Sequence, residues 1–169
     1  MRIFEPGPER FLSAGEKDAV AALFEAILPG DEHSPGARDA DAAEYVSVLL
    51  AQGAAVYYEI PAWQALYRAA LPALEAAAAA GNGGRGLAEL TVPEATSLLV
   101  ALQAGSLAGM PAGIDQKRLF ATLRAHCIEG CFADPRWGGN RDGVIWRWFG
   151  YLRPAEEFER EEAGHARVA

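Results

Sequence analysis

The stretch LRAHCIEGCFADPRWGGNRDGVIWRWFGY, Leu123 to Tyr151, decides how the rest of the chain is read, because a helical pattern enters it and is then interrupted. Leu119, Phe120, Leu123 and Cys127 share one helical face, which predicts an amphipathic helix ending near Glu129. Gly130, Pro135, Gly138 and Gly139 follow closely, and each breaks or bends a backbone. The same stretch holds Trp137, Trp146 and Trp148, His126, both cysteines and the carboxylates of Glu129, Asp134 and Asp142. Ordering so unusual a loop costs conformational entropy, so a chain that specifies one uses it to hold something. A docking or ligand-facing loop is the expectation; the plainer alternative is that the tryptophans plug the end of a helical core.

Upstream, helical periodicity recurs. Ser13-x-x-Glu16 is a capping box, and Val20, Leu23, Phe24 and Ile27 repeat at helical spacing, so the first helix is read over Ser13 to Leu28. Pro29 to Asp41 is a polar loop whose one chemically suggestive residue is His33. A second helix, capped by Asp39 or Asp41, buries Ala42, Tyr45, Val46 and Leu49; a third starts at Pro61, carries Trp63, Leu66, Tyr67, Ala70, Leu71 and Leu74, and is kinked or broken by Pro72. Gly81 to Gly86 is the most flexible-looking connector. Thr91-x-x-Glu94 opens a fourth helix through Leu98, Leu99 and Leu102, and Asp115 caps the fifth. No segment alternates in the manner of a strand. The predicted fold is all-α: a single-domain, irregular bundle of about five main helices over 13–151, with a long structured C-terminal loop, an N-terminal arm over 1–12 and a charged tail over 152–169 in which Phe158 is the one candidate anchor.

Totals exclude several classes. A chain of 169 residues with 51% hydrophobic content buries a core without staples. A net charge of -8, with arginines dispersed, argues against a nucleic-acid partner. No apolar run reaches transmembrane length, so membrane insertion is not expected, and the first residues read as neither a signal peptide nor a leader. Cys127 and Cys131 lie four apart, where a disulfide is awkward on a helix, so free thiols are expected.

Several chemistries compete for the C-terminal stretch. His126 and Glu129, three apart, are neighbours on a helix surface and suit either a structural salt link or a proton-shuttling pair. The stand-alone acid–base enzyme that such a pair suggests lacks any recognisable nucleophile or cofactor cradle. His126-Cys127 with Cys131 has none of the common zinc spacings, which leaves a metal or redox-sensing protein as a further alternative. A third account treats the loop as self-bonded. Asp134, Asn140 and Asp142 close turns, while Arg124, Arg141 and Arg147 clamp the carboxylates of Glu129, Asp134 or Asp142. Such a loop presents Trp and Arg rigidly, as binding hot spots do.

The run His126, Glu129-Gly130, Phe132, Asp134-Pro135, Gly138-Gly139-Asn140, Asp142, Trp146 and Gly150-Tyr151 resembles the C-terminal signature of the gluconate 2-dehydrogenase subunit 3 family. Pro29-Gly30-Asp31 with His33-Ser34-Pro35-Gly36-Ala37 is similar to that family's N-terminal signature. The resemblance implies a small, non-catalytic subunit that assists folding, cofactor loading and export of a large flavoprotein of the glucose-methanol-choline type. FAD is then expected in the partner and no cofactor in this chain. A cytochrome c subunit, or an iron–sulfur cluster elsewhere in the complex, completes the expected assembly. Export together with a leader-bearing partner is favoured over a cytoplasmic complex. The residues expected to dock or organise the loop are His33, Arg124, His126, Glu129, Phe132, Asp134, Trp137, Asn140, Arg141, Asp142, Trp146, Trp148 and Tyr151.

Overall fold

Ser13 opens the first helix as its sequence predicts. Its hydroxyl accepts the Glu16 N–H at 3.3 Å, and the Glu16 carboxylate accepts the Ser13 N–H at 2.8 Å. This helix, α1, spans Ala14–Ile27. The computed structural model describes residues 6–151, and five more α-helices follow in it: α2 (Ala42–Leu50), α3 (Ile60–Gly81), α4 (Val92–Ala104), α5 (Gln116–Phe132) and the short α6 (Val144–Trp148). Short 3-10 turns stand at Leu87–Glu89, Pro135–Trp137 and Arg141–Gly143, and no strand occurs among the described residues. The fold is all-α, as the periodicity predicts, with a sixth helix inside the stretch read as loop. Residues 1–5 and the tail 152–169, including Phe158, lie outside the described residues.

The core gathers about α1, which packs against α2, α4, α5 and the turn at Leu87–Glu89, while α5 also packs on α2 and α4. Val20, Leu23, Phe24, Leu50, Leu74, Leu102, Leu119 and Leu123 are buried there. Each such side chain contributes roughly 1.5–3 kcal/mol over leaving it in water. The N-terminal segment joins this core: the Phe11 N–H donates to Ser47 O at 3.0 Å and Leu12 is buried.

Four local expectations are corrected. Gly130 does not end the fifth helix, which continues to Phe132; glycine is there because α5 crosses α2 so closely that a Cβ would lie 2.8 Å from Ala42 O. Pro72 neither breaks nor ends α3, which runs through it. The carbonyl losing its partner, that of Arg68, is on the exposed side, where solvent tolerates it. Neither Asp39 nor Asp41 caps α2 through its side chain. Asp41 sits in the left-handed region (φ 50°) and pairs with Lys17 at 3.3 Å, while Asp39 accepts the Gly36 N–H at 2.8 Å. The Gly81 to Gly86 connector is pinned at its end, where the Leu87 N–H donates to Glu75 at 3.0 Å and Arg85 pairs with Glu94.

Candidate functional site

Past the end of α5 the chain turns back on itself, and polar groups fix how. The Asn140 side chain is fully buried; its Nδ2 donates to Ala133 O at 3.1 Å and its Oδ1 accepts the Ile145 N–H at 2.9 Å. Its own N–H donates to Gly130 O at 2.8 Å, and this approach requires glycine next door, since a Cβ on Gly139 would sit 2.2 Å from that oxygen. Asn140 and Asp142 both take left-handed φ, 43° and 55°, values that Asn and Asp tolerate better than other side chains. Ile145 closes the loop onto the core.

The aromatic residues that this backbone carries face outward. Trp146 donates its indole N–H to Phe132 O at 3.0 Å and meets Tyr151 edge-on at 5.4 Å; Phe132 and Phe149 lie 5.6 Å apart, and Trp148 meets Phe149 at 4.7 Å. Trp148, Phe149 and Tyr151 are 52%, 60% and 73% exposed. Phe132, Trp146, Phe149 and Tyr151 line a shallow hollow of about 460 Å³. Trp148 also donates its indole N–H to His33 O at 2.9 Å, which joins the two stretches that the sequence singles out. The His33 loop is itself folded by Asp31, whose carboxylate accepts the His33 and Ser34 N–H groups at 2.8 Å.

On another side of α5 lies a groove of about 720 Å³ whose walls include Tyr45, Tyr57, Trp63, Trp137, Glu59 and Glu129. Tyr57 stacks on Trp63 at 5.2 Å, and Trp63 stands edge-on to His126 at 4.7 Å. His126 is buried, its Nδ1 lies 3.0 Å from the Tyr67 hydroxyl, and its Nε2 has no partner among the described residues. An unpaired buried polar atom costs roughly 1–3 kcal/mol. Burial alone holds the imidazole pKa down to about 4, so the ring is neutral near pH 7. Glu129 accepts the Tyr45 hydroxyl at 3.1 Å, and its carboxyl has a raised pKa, chiefly through partial desolvation against the groove wall.

His126 and Glu129 are thus not a linked pair. One turns inward to Tyr67 and the other accepts from Tyr45, so neither the salt link nor the proton-shuttling pair forms. The arginine clamps are also redrawn. Asp134 is paired by Arg136 at 2.7 Å, and the Arg136 side-chain and backbone bonds hold its carboxyl down to about 2. Arg141 reaches Asp41 at 3.8 Å, and Arg147 donates to the Asp142 carbonyl, not to its carboxylate. Arg124 is exposed and meets no carboxylate among the described residues; five positions from Glu129, it points about 140° away around the helix. Cys127 and Cys131 are buried free thiols, and Cys127 donates to Phe24 O at 3.6 Å. Hydrogen bonding with the neighbouring Cys131 thiol, then burial, pushes the Cys127 pKa up, which leaves it unreactive. No group of three or more His, Cys, Asp or Glu able to hold a metal occurs among the described residues. Nor is any described helix long and apolar enough to cross a membrane.

Of the residues expected to dock or organise the loop, Asn140, Asp134, Trp146, Trp148 and the His33 backbone make the bonds described above. Phe132 and Tyr151 join the exposed aromatic face, while Glu129 and Trp137 line the groove. Phe149 on the aromatic face and Tyr57 and Glu59 in the groove are additions that the sequence reading lacks. Their signal lay in the aromatic runs Trp146 to Tyr151 and Tyr57 to Trp63, the second of which precedes and enters a helix read only for its buried stripe.

No curated protein and no solved structure matches the chain. The family model for gluconate 2-dehydrogenase subunit 3 matches residues 14–152, which takes in all six helices, the buried Asn140 and the whole aromatic face. The chain therefore belongs to the gluconate 2-dehydrogenase subunit 3 family.

Proposed function

We propose that this chain is a non-catalytic small subunit that binds and stabilises a large FAD-containing subunit of the glucose-methanol-choline type, in a bacterial dehydrogenase complex acting on a sugar or polyol. The observation that carries the reading is the outward-facing aromatic set Phe132, Trp148, Phe149 and Tyr151 on a backbone locked by Asn140. Large rings held out to water by directed bonds serve association better than they serve the fold. A complete interface of ordinary size buries about 1,600 Å² in total, within which such anchors dominate the affinity.

Family membership supports an accessory role in a dehydrogenase complex, and the separation of His126 from Glu129 leaves the acid–base alternative without its pair. The flavin belongs to the partner in this proposal. A cytochrome c subunit or an iron–sulfur cluster elsewhere would pass electrons on, and the complex is exported on the partner's leader. Co-expression with adjacent reading frames and affinity capture of this chain tests the reading. A yellow, flavin-containing protein several times heavier is expected to co-purify and to lose solubility when this chain is omitted. Turnover of a sugar by the purified chain alone overturns it.

A further inference from the structure

The groove beside α5 combines features that the aromatic face lacks. Tyr45, Tyr57, Trp63 and Trp137 give it ring surfaces, while Glu59 and Glu129 give it two carboxylates that meet no cationic side chain among the described residues. The remaining acid on its wall, Asp134, is already engaged by Arg136. Next to it is a smaller recess of about 250 Å³ that shares Glu59, Trp63 and Glu129 with the groove and has His126 and the exposed Arg118 in its wall. His126 is 1% exposed, and its Nε2 is the buried polar atom left without a partner. The roles in the Tyr67–His126 bond depend on the imidazole tautomer; in the tautomer with the proton on Nδ1, Nε2 is a free acceptor.

We propose that this groove receives an arginine side chain from a short extended segment of a protein partner, its guanidinium stacked on Trp63 or Tyr57, paired with Glu129 and Glu59, and donating to His126 Nε2. Charge complementarity selects this occupant. A guanidinium carries five donors and no acceptor, lies flat on aromatic faces and remains charged. The groove presents rings and three carboxylates, two of them without a cationic partner among the described residues, against the one cation of the adjoining recess, Arg118, which is exposed, on a chain of net charge -8. Lysine satisfies the carboxylates as a point charge but cannot stack as a plane. The volume exceeds what one side chain fills, which fits a segment with an arginine at its centre. The inference takes from the subunit reading only the existence of a protein partner.

The test uses the full chain and a blocked alanine heptapeptide with a central arginine, titrated by tryptophan fluorescence, with the citrulline peptide as its uncharged counterpart. Saturable binding is expected for the arginine peptide and at least ten-fold weaker binding for citrulline. The paired change Glu59→Gln and Glu129→Gln keeps an acceptor for Tyr45 and is expected to weaken arginine binding at least ten-fold; His126→Phe weakens it several-fold. Trp148→Ala, on the other face, leaves it unchanged. Absence of saturation, equal binding of citrulline, or unchanged affinity in either groove variant overturns the assignment. If His126→Phe does not fold, the paired glutamine variant decides alone. Capture of a flavoprotein without arginine-peptide binding removes this inference and leaves the subunit reading intact, and peptide binding without capture does the reverse.

Discussion

The α1 core and the segment from Phe132 to Tyr151 keep their shapes by different means. In the core, aliphatic side chains are buried between helices, of which α1 and α5 are capped by Ser13 and Asp115, and specificity comes from packing. Beyond Phe132 few side chains are buried. Conformation is dictated there by Asn140, by the close Gly130–Gly139 approach and by indole N–H groups bonded to backbone carbonyls, while the rings themselves stay wet. A region that stabilises itself through polar bonds has its apolar surface left over for something else. The comparison teaches that the core makes the protein, while the C-terminal segment leaves its rings exposed, as the proposed docking requires.

The sharpest break between the two should come from Phe24→Ala. Phe24 is fully buried in the last turn of α1, and such a deletion costs roughly 3–5 kcal/mol. The urea midpoint is expected to fall steeply with an unchanged slope, and both regions should unfold together. A separate later transition in tryptophan fluorescence would show that the C-terminal segment folds without the core.

His126 sits where core and groove meet, and its titration gives the next largest effect. Its folded pKa, about 4, is below the ordinary 6.5, so between those values the unfolded chain takes up a proton that the folded one does not. Its contribution is fully present above pH 6.5 and is lost as the pH falls toward 4, by at most about 3 kcal/mol. Glu129 works the other way: its raised pKa gives stability that is present below 4.5 and lost as the pH rises through the folded value. Asp134 and Glu94, held near 2, act only in stronger acid. Lowering the pH from 7.5 to 4.5 should therefore cut the urea midpoint of the native chain and leave that of His126→Phe unchanged or raised through Glu129; a fall that persists in the variant would assign it to other groups.

Sequence legibility followed the same divide. Helix positions, the Ser13 and Thr91 boxes and the buried stripes of α1 and α4 were readable because 3.6-residue periodicity and capping are local properties. The C-terminal segment revealed its importance but not its wiring, because partners such as Gly130 O for Asn140, or His33 O for Trp148, are set by tertiary approach. Gly130 misled for that reason: a residue that reads as a stop is a helix–helix contact. Trp63 and Tyr45, assigned to core stripes, border a groove because nothing in their own helices says that the facing surface is left open.

Asn140→Ala should separate the two regions by local effect. It leaves the Ala133 carbonyl and the Ile145 N–H unpaired and places alanine at a left-handed φ, a loss of roughly 1–3 kcal/mol. Amide exchange at Ile145 should accelerate far more than at Leu28, whose N–H is bonded within the α1 terminus. Equal acceleration at both would mean that the segment and the core open as one unit.

The smallest effect on stability should accompany the largest on association. Trp148 is half exposed, and its removal sacrifices one hydrogen bond to the His33 carbonyl and an edge contact with Phe149, so Trp148→Ala should alter unfolding by no more than about 1 kcal/mol. A ring at the centre of an interface commonly costs 2 kcal/mol or more when truncated, roughly a thirty-fold loss of affinity. Capture of the large subunit should therefore fall sharply while the urea midpoint barely moves. A stability loss matching that of a buried tryptophan, with capture unchanged, would mean that these rings belong to the fold after all and that the adhesive surface lies elsewhere.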